Sequence, residues 1–542
     1  MVVSRLALVA SLVYSSLVQA TKRPNIVLFL QDDQDVALGG WSPMELTDAK
    51  VVRNGTRASN WFIHTPVCCP SRAELLSGRY FHNVRMPTPR GGCMHVDTEK
   101  VNPFSFASYL SREGNYTNGW FGKHMNQAPH SPPSGFDCPS CYWFANGGGS
   151  DVEPGGYLNA TFSDFAGGKP VGGTPYHKRS GTYQANTHGE FAGYTTSIIA
   201  NKSIEWVKKV ANGPQPFFVA VASKGPHVPA TPAPWYENAF SSNTAPRDPA
   251  YNASAEQLAG HHWLIAQQGP ITVQQGKTID ELFRNRWRTL LSIDEAIAAM
   301  HDTLEELGVL NQTYFFITSD HGYNLGQHRL PSCKLNVYDH DIRIPMIIKG
   351  PGIKPGTTFD EPASNVDVAP TILGLAGLNG YSMSPPMDGR SIAHLLVDAS
   401  DDSVLPVTRD YLLHGTGQSS TPWRQHHFVE YYSLGNVVRT GHLVDDPNSN
   451  TYRALRFTHG GPIGSGNMLY AEFTALADWD FKNLSFVEVF DVEKDPHQLY
   501  NLAKDVDENT KSMLHKMLES MSRCQGLDCE NHAHIQVNTQ FV

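Results

Sequence analysis

Apolar residues fall in short unbroken runs along the first two-thirds of this chain, and the runs end in polar residues of chemical interest. Asn25-Ile26-Val27-Leu28-Phe29-Leu30 leads through Gln31 into Asp32-Asp33. Phe217-Phe218-Val219-Ala220-Val221-Ala222 leads into Ser223-Lys224-Gly225-Pro226-His227. Tyr314-Phe315-Phe316-Ile317-Thr318 leads into Ser319-Asp320-His321-Gly322. Runs of this length without polar alternation predict strands buried on both faces, as in a parallel sheet. The C-terminal ends of such strands are where open α/β sheets hold their functional groups. Met346-Ile347-Ile348 predicts a fourth strand. Between the second and third strands, Phe283, Trp287, Leu290, Ile297, Met300, Leu304 and Leu307 share one face of a long helix, and Gly308 is its expected stop. Strands alternating with helices predict an α/β fold with a mostly parallel sheet.

Residues 126–190 are rich in Gly, Pro and Ser and predict long surface loops. Residues 396–425 are polar and irregular, and place a boundary between a large domain over 21–400 and a smaller one over 401–542. In the latter, His427–Tyr432, Tyr452–Thr458 and Phe486–Asp491 predict short strands, followed by a helix over Glu508–Met521.

The start of the chain changes the cellular picture. One arginine precedes an apolar stretch from Leu6 to Leu17, and Val18-Gln19-Ala20 offers small residues for cleavage, so residues 1–20 predict a secretory signal peptide. Seven Asn-x-Ser/Thr sequons (Asn54, Asn115, Asn159, Asn201, Asn252, Asn311 and Asn483) fit passage through the secretory pathway and glycosylation. The expected product is a soluble glycoprotein, secreted or lysosome-like, with no membrane span. A net charge of −10 gives no general attraction to nucleic acid or anionic lipid. An anionic substrate would have to be held by local cations.

Residues 68–79, Cys-Cys-Pro-Ser-Arg-Ala-Glu-Leu-Leu-Ser-Gly-Arg, carry the sharpest chemistry. Pro70 suits the first turn of a helix, which puts Cys68 near a helix N-terminus where backbone N–H groups favour anions. Arg72 projects from that turn and can grip two oxygens of an oxyanion. Read by themselves, Cys68 and Cys69 also suit a disulfide among the eight cysteines of a secreted chain. A cysteine-phosphatase loop is excluded, because it needs arginine six positions after the nucleophile and Glu74 stands there. Cys138-Pro139-Ser140-Cys141 suits a small structural loop or a redox pair, and Cys524 and Cys529 a C-terminal clip. Cys69, Cys93 and Cys333 cannot all pair with one another. Asp32, Asp33 and Asp320, if brought together, would repel one another without a cation, and their oxygens favour calcium or magnesium.

Cys68-x-Pro70-Ser71-Arg72 followed by Leu75-Leu76-Ser77-Gly78-Arg79 resembles the signature of the type I sulfatases. The resemblance extends over most of residues 22–530, including Gly350-Pro351-Gly352 and Asp495-Pro496. It implies an alkaline-phosphatase-like fold: a large domain with a mostly parallel sheet and a smaller C-terminal α+β domain with an antiparallel sheet. It implies that Cys68 is oxidised to formylglycine by a formylglycine-generating enzyme during maturation. It further implies one calcium ion held by Asp32, Asp33, Asp320 and His321, with residue 68 itself at the metal site. Lys123 and Lys334 would contact the sulfate, His227 would protonate the leaving oxygen, and Arg72 would orient the nucleophile. Met125 stands where many relatives have a histidine, which leaves His124 or Asn126 as the base. The implied reaction is hydrolysis of sulfate esters, on sulfated sugars such as N-acetylglucosamine 6-sulfate or, alternatively, on aryl sulfates. A phosphoesterase of the same superfold and a catalytically silent secreted glycoprotein are the readings from other classes.

Overall fold

The computed structural model describes residues 22–86, 92–126, 131–146, 156–158, 160–171, 176–178, 193–332, 334–415, 422–433, 450–475 and 478–532. The expected signal peptide, Asn159, Cys333 and much of 126–190 lie outside these residues.

The centre of the fold is a sheet with five adjacent parallel strands. In chain order these are β1 (Asn25–Gln31), β2 (Thr117–Lys123), β3 (Tyr142–Asn146), β4 (Phe217–Ala222) and β5 (Thr313–Ser319). In space the order is β5-β1-β4-β2-β3. All seven residues of β1 are buried. Val27 and Phe29 pack with Leu290, Ile293 and Ile297 on one side of the sheet. Ile26, Leu28 and Leu30 join Leu75, Leu76, Leu110 and Ile372 on the other. Helices cover both faces, which is why these strands are continuous apolar runs rather than alternating ones.

One strand has a direction that its own residues do not specify, and one expectation is corrected. The strand at Met346–Lys349 (β6) exists, but it runs antiparallel to β5. Only the four-residue helix Asp339–Ile342 lies between the two among the described residues, so no crossover helix returns the chain to a parallel start. Residues 126–190 are not simply surface loops. They contribute β3 and the antiparallel strand Thr161–Ala166, with Trp143 and Phe144 buried and Phe144 stacked on Phe162 at 4.2 Å.

Helix α1 (Cys68–Ser77) is buried along its whole length. Val67 enters it in an extended conformation and Gly78 closes it at φ 65°, the left-handed cap that glycine adopts without strain. A Cβ at Gly78 would sit 3.0 Å from the Met387 sulfur. Helix α2 (Val273–Glu306) opens with a capping box between Thr272 and Gln275. It buries Phe283, Leu290, Ile297, Met300 and Leu304, the expected face, and Gly308 follows its end at φ 68°.

The C-terminal part forms a separate four-stranded antiparallel sheet: β7 (His426–Tyr431), β8 (Tyr452–Phe457), β9 (Met468–Thr474) and β10 (Leu484–Asp491), in that order. Helix α3 (Glu508–Met521), capped by Asp507, spans the expected residues. Phe428, Leu455, Tyr470 and Val489 face α3, whereas Val429, Ala454, Leu469 and Phe490 join the core of the large sheet. The second sheet is thus buried on both faces. Strand β9 had no clear sequence signal because Glu472 interrupts its apolar pattern. That carboxylate is buried against Arg453, His515 and Tyr470.

A polar cluster fastens the two parts together. Glu430 on β7 accepts from His64 Nε2 at 2.8 Å, from His82 Nδ1 at 2.9 Å, from the His82 backbone N–H at 2.9 Å and from the Tyr432 hydroxyl at 2.7 Å. The other ring nitrogens face the Phe428 carbonyl at 2.7 Å and the Cys524 carbonyl at 3.0 Å. Each ring thus lies between two oxygen atoms, and for His82 the Glu430 carboxylate outweighs burial and favours the charged ring.

Cys138 is bonded to Cys141 and Cys524 to Cys529. Cys68, Cys69 and Cys93 are buried thiols. No helix of the described residues is long and apolar enough to cross a membrane.

Candidate active site

The parallel strands deliver their last residues to one edge of the sheet. Asp32 and Asp33 follow β1, Lys123 ends β2, His227 follows β4, and Asp320 and His321 follow β5. Helix α1 sets Cys68 among them. The Cys68 Sγ lies 3.2 Å from His321 Nε2, 3.4 Å from Asp32 Oδ1 and 3.6 Å from Lys334 Nζ. His227 also shares a hydrogen bond with Cys68. Nine of the residues singled out from the sequence thus occupy one cluster, and all but the half-buried His227 are buried.

Each carboxylate has its own cation. Lys123 Nζ is 2.5 Å from Asp32 Oδ2, Lys334 Nζ is 3.0 Å from Asp33 Oδ1, and Arg72 Nε is 2.8 Å from Asp320 Oδ2. The expected mutual repulsion is therefore balanced by three basic side chains, even without an added cation. Burial alone would raise the Asp32 pKa, but Lys123, His227, Arg72 and Lys334 hold it well below the carboxylate range. Asp33 is likewise brought down to about 2 against burial, chiefly by Lys334. Burial disfavours the charged forms of Lys123 and Arg72, yet both are raised, Lys123 chiefly by Asp32 and Arg72 chiefly by Asp320. The His227 ring is also raised against burial, foremost by Asp33. Its Nδ1 donates to the Val228 carbonyl at 2.6 Å, which leaves Nε2 for the cluster.

Ligand atoms of Asp32, Cys68, Asp320 and His321 lie within 4.8 Å of one another, as do those of Asp32, Asp33, Cys68 and His227. Two oxygens on opposite sides of one calcium ion, each at about 2.4 Å, would be separated by that same span. Asp33 Oδ2 is buried and has no hydrogen-bond partner, an acceptor left over in the right place. The donor set therefore fits a hard divalent cation, with His321 Nε2 its least typical member.

Arg72 is fully engaged. Besides Asp320 it donates to the Lys123 and His124 carbonyls at 2.9 and 3.3 Å, tying α1 to the end of β2. His124, one of the two expected substitutes for the base missing at Met125, is held elsewhere. Its ring packs edge-on against Trp120 and Trp143, and burial, with Arg72 nearby, lowers its pKa to about 3. It is a neutral core histidine.

Sequence reasoning assigned no role in the site to two supporting residues. Arg286 on α2 donates to the Asp33 carbonyl at 2.7 Å, the Asp35 carboxylate at 2.6 Å and the Pro226 carbonyl at 3.3 Å, and its guanidinium lies over Tyr323. It bridges the segment bearing Asp33 to the turn bearing His227. Its signal was an arginine between Phe283 and Leu290, on the apolar side of the helix. The Tyr157 hydroxyl sits 2.6 Å from the His227 carbonyl and holds the same turn. Arg286→Lys, which cannot span all three acceptors, is expected to lower kcat/KM for a sulfate ester about 10–100-fold while leaving the circular dichroism spectrum unchanged.

A parallel α/β sheet whose strand ends gather three carboxylates, three cations and a cysteine on a buried helix defines a hydrolase of anionic esters. The chain belongs to the sulfatase family: the sulfatase family model matches residues 24–378, and that of the N-sulphoglucosamine sulphohydrolase C-terminal region matches 326–459. It is therefore a sulfuric ester hydrolase. The chain is 33% identical to N-acetylglucosamine-6-sulfatase of Capra hircus, over 95% of this chain and 86% of that protein. Among solved structures, a protein in complex with its substrate D-glucosamine-2-N,6-O-disulfate superimposes with a TM-score of 0.63 at 20% identity, covering 94% of this chain and 99% of that one. The phosphonate monoester hydrolase of Silicibacter pomeroyi superimposes with a TM-score of 0.60 at 21% identity, over 92% and 95% of the two chains. The fold by itself thus does not separate sulfate from phosphonate chemistry.

Proposed function

We propose that this protein hydrolyses sulfate esters of sulfated sugars, N-acetylglucosamine 6-sulfate foremost, with Cys68 oxidised to formylglycine and one calcium ion at Asp32, Asp33, Asp320 and His321. The observation that supports this most directly is the convergence of Asp32, His321 and Lys334 on Cys68 Sγ within 3.6 Å. The sugar preference rests on the N-acetylglucosamine-6-sulfatase relatives. When present, the ion would polarise a sulfate oxygen, and the hydrated formylglycine would supply two hydroxyls on one carbon, one to attack sulfur and one to restore the aldehyde.

The chain's own residues do the rest. Lys123 and Lys334 carry the positive charge that meets the sulfate and the charge developing beside it. His227, its proton favoured by Asp33 and Asp32, donates to the leaving alcohol oxygen. Arg72 is committed to Asp320 and two carbonyls, so it positions α1 and its nucleophile. Residues 21–400 form the catalytic domain and 401–542 the supporting one, and residues 1–20 send the protein into the secretory pathway, where a formylglycine-generating enzyme acts on Cys68.

The test is mass spectrometry of the tryptic peptide Ala58–Arg72 from active protein, combined with a substrate panel. An aldehyde at position 68, with turnover of glucosamine 6-sulfate exceeding that of an aryl sulfate, supports the reading. An intact thiol in fully active protein, or hydrolysis of phosphate monoesters alone, overturns it.

The metal site has a separate readout. Calcium added to chelator-stripped protein is expected to raise Tm, by an amount equivalent to about 2.7 kcal/mol at a hundredfold excess over Kd. Asp33→Asn should abolish that rise, and an undiminished rise would place the ion elsewhere.

A further inference from the structure

Outside the catalytic cluster, the C-terminal sheet and α3 enclose a second concavity of about 730 Å³. This is within the range of small-molecule sites, about 300–1,000 Å³. Its aromatic lining is mostly buried: Tyr432 and Phe481 are 2% and 7% exposed, and Trp479 is half-buried. Tyr432 and Trp479 have ring centroids 4.9 Å apart, and Phe481 lies 6.3 Å from Tyr432. Its rim carries three cations, Arg85, Lys482 and Arg523, beside two carboxylates, Asp480 and Glu519. Arg453 lines it too, but is held from below by Glu472 at 2.9 Å.

The rim cations are available. Arg85 lies 6.0 Å over the Trp479 ring and has no carboxylate partner among the described residues. Lys482 pairs with Asp480 and Arg523 with Glu519, but both cations are more than 70% exposed. Such surface pairs contribute little and exchange readily for another anion. A local excess of positive charge in a chain of net charge −10 therefore surrounds the half-buried Trp479 ring.

That combination selects its ligand. Guanidinium and ammonium groups take sulfate or carboxylate oxygens, and the exposed part of the Trp479 ring takes the C–H face of a pyranose. We propose that this concavity is a second saccharide site, which binds an internal stretch of a sulfated oligosaccharide. The proposal rests on the reading of the protein as an enzyme of sulfated sugars. The site is separate from the catalytic cluster. On β8 the Tyr452 hydroxyl reaches the Leu335 carbonyl, next to Lys334, whereas the following residue, Arg453, turns to the opposite face and into the concavity. A chain of several sugars would thus be held at a point away from the residue being cleaved. A single sugar would engage only the catalytic cluster.

The experiment compares a heparin-derived sulfated tetrasaccharide, its desulfated counterpart and the monosaccharide glucosamine 6-sulfate. Binding is measured by titration calorimetry at two salt concentrations, alongside hydrolysis of the monosaccharide. Wild-type protein is expected to bind the sulfated tetrasaccharide, more weakly at higher salt, and to ignore the desulfated one. Arg85→Ala combined with Lys482→Ala and Arg523→Ala should raise the tetrasaccharide Kd about tenfold and leave monosaccharide hydrolysis unchanged. Lys482→Glu with Arg523→Glu touches only exposed side chains and should give the same loss without any effect on folding. Tetrasaccharide affinity equal to wild type in both variants, or equal affinity for the desulfated sugar, overturns the site. Failure of the wild type to cleave any sulfate ester would overturn the proposed function instead, and the binding comparison would still judge the concavity.

Discussion

Replacing Cys68 with serine is expected to reduce steady-state turnover of sulfate esters by at least about 10³-fold, with the fold intact. The two side chains are nearly the same size, and the buried position at the start of α1 accepts either. The loss comes from chemistry. In the proposed mechanism a serine offers one oxygen, which would take the sulfo group while His227 protonates the leaving alcohol. It has no second hydroxyl whose proton loss could then expel sulfate. The variant should therefore release about one equivalent of alcohol per chain and stop, with a sulfo group attached to residue 68 in the intact mass. Cys68→Ala should release none. Multiple turnovers by the serine variant would remove the need for formylglycine and move the protein toward the phosphoesterase type of mechanism.

Glu430→Gln is expected to be the most damaging single change to stability, costing about 3–5 kcal/mol. The carboxylate is fully buried and accepts four hydrogen bonds, two from imidazole rings. Burial would raise its pKa, but His82 and His64 hold it well below its ordinary value of 4.5. His82 in turn is lifted above its ordinary 6.5, with Glu430 outweighing burial and Asp388 adding to the effect. Other charged or titratable groups enter the same cluster: Glu74 faces His64, and His427, Tyr80 and Tyr432 pack around the rings.

The signs then fix a pH window. The Glu430 contribution is present above about 4.5 and is lost as pH falls through its depressed folded value. The His82 contribution is complete below about 6.5 and is lost as pH rises through its elevated folded value. The stability difference between wild type and Glu430→Gln, from urea unfolding, should therefore be largest between about pH 4.5 and 6.5 and shrink toward pH 8. A difference that is flat or growing with pH would show that the cluster does not carry paired charge.

Much of the catalytic sheet was legible because its physics is local. Strands buried on both faces must be apolar throughout, so β1, β4 and β5 stood out, and their ends pointed directly to Asp32, His227 and Asp320. The long helix α2 and its stop at Gly308 were legible for the same reason of periodicity. Strand β3 was hidden by its setting, because the Gly- and Pro-rich residues around it read as loop. Strand β9 was hidden by Glu472, a charge whose partners Arg453 and His515 come from other elements. The direction of β6 depended on what its connection lacked rather than on its own residues. Within the site, the residue types were visible but their pairing was not. That Lys123 would neutralise Asp32, Lys334 Asp33 and Arg72 Asp320 is set by tertiary geometry, as is the retirement of His124 between two tryptophans.

His64 and His82 bracket α1 along the chain, four residues before Cys68 and five after Ser77. Both are fastened to the single carboxylate of Glu430, so one side chain from the C-terminal sheet anchors the two flanks of the helix that carries Cys68. The C-terminal sheet is in this sense a jig for the candidate site and not an appendage. A chain ending before residue 426 would keep every residue of the catalytic cluster in sequence, yet lose the part that holds Cys68 in register with them.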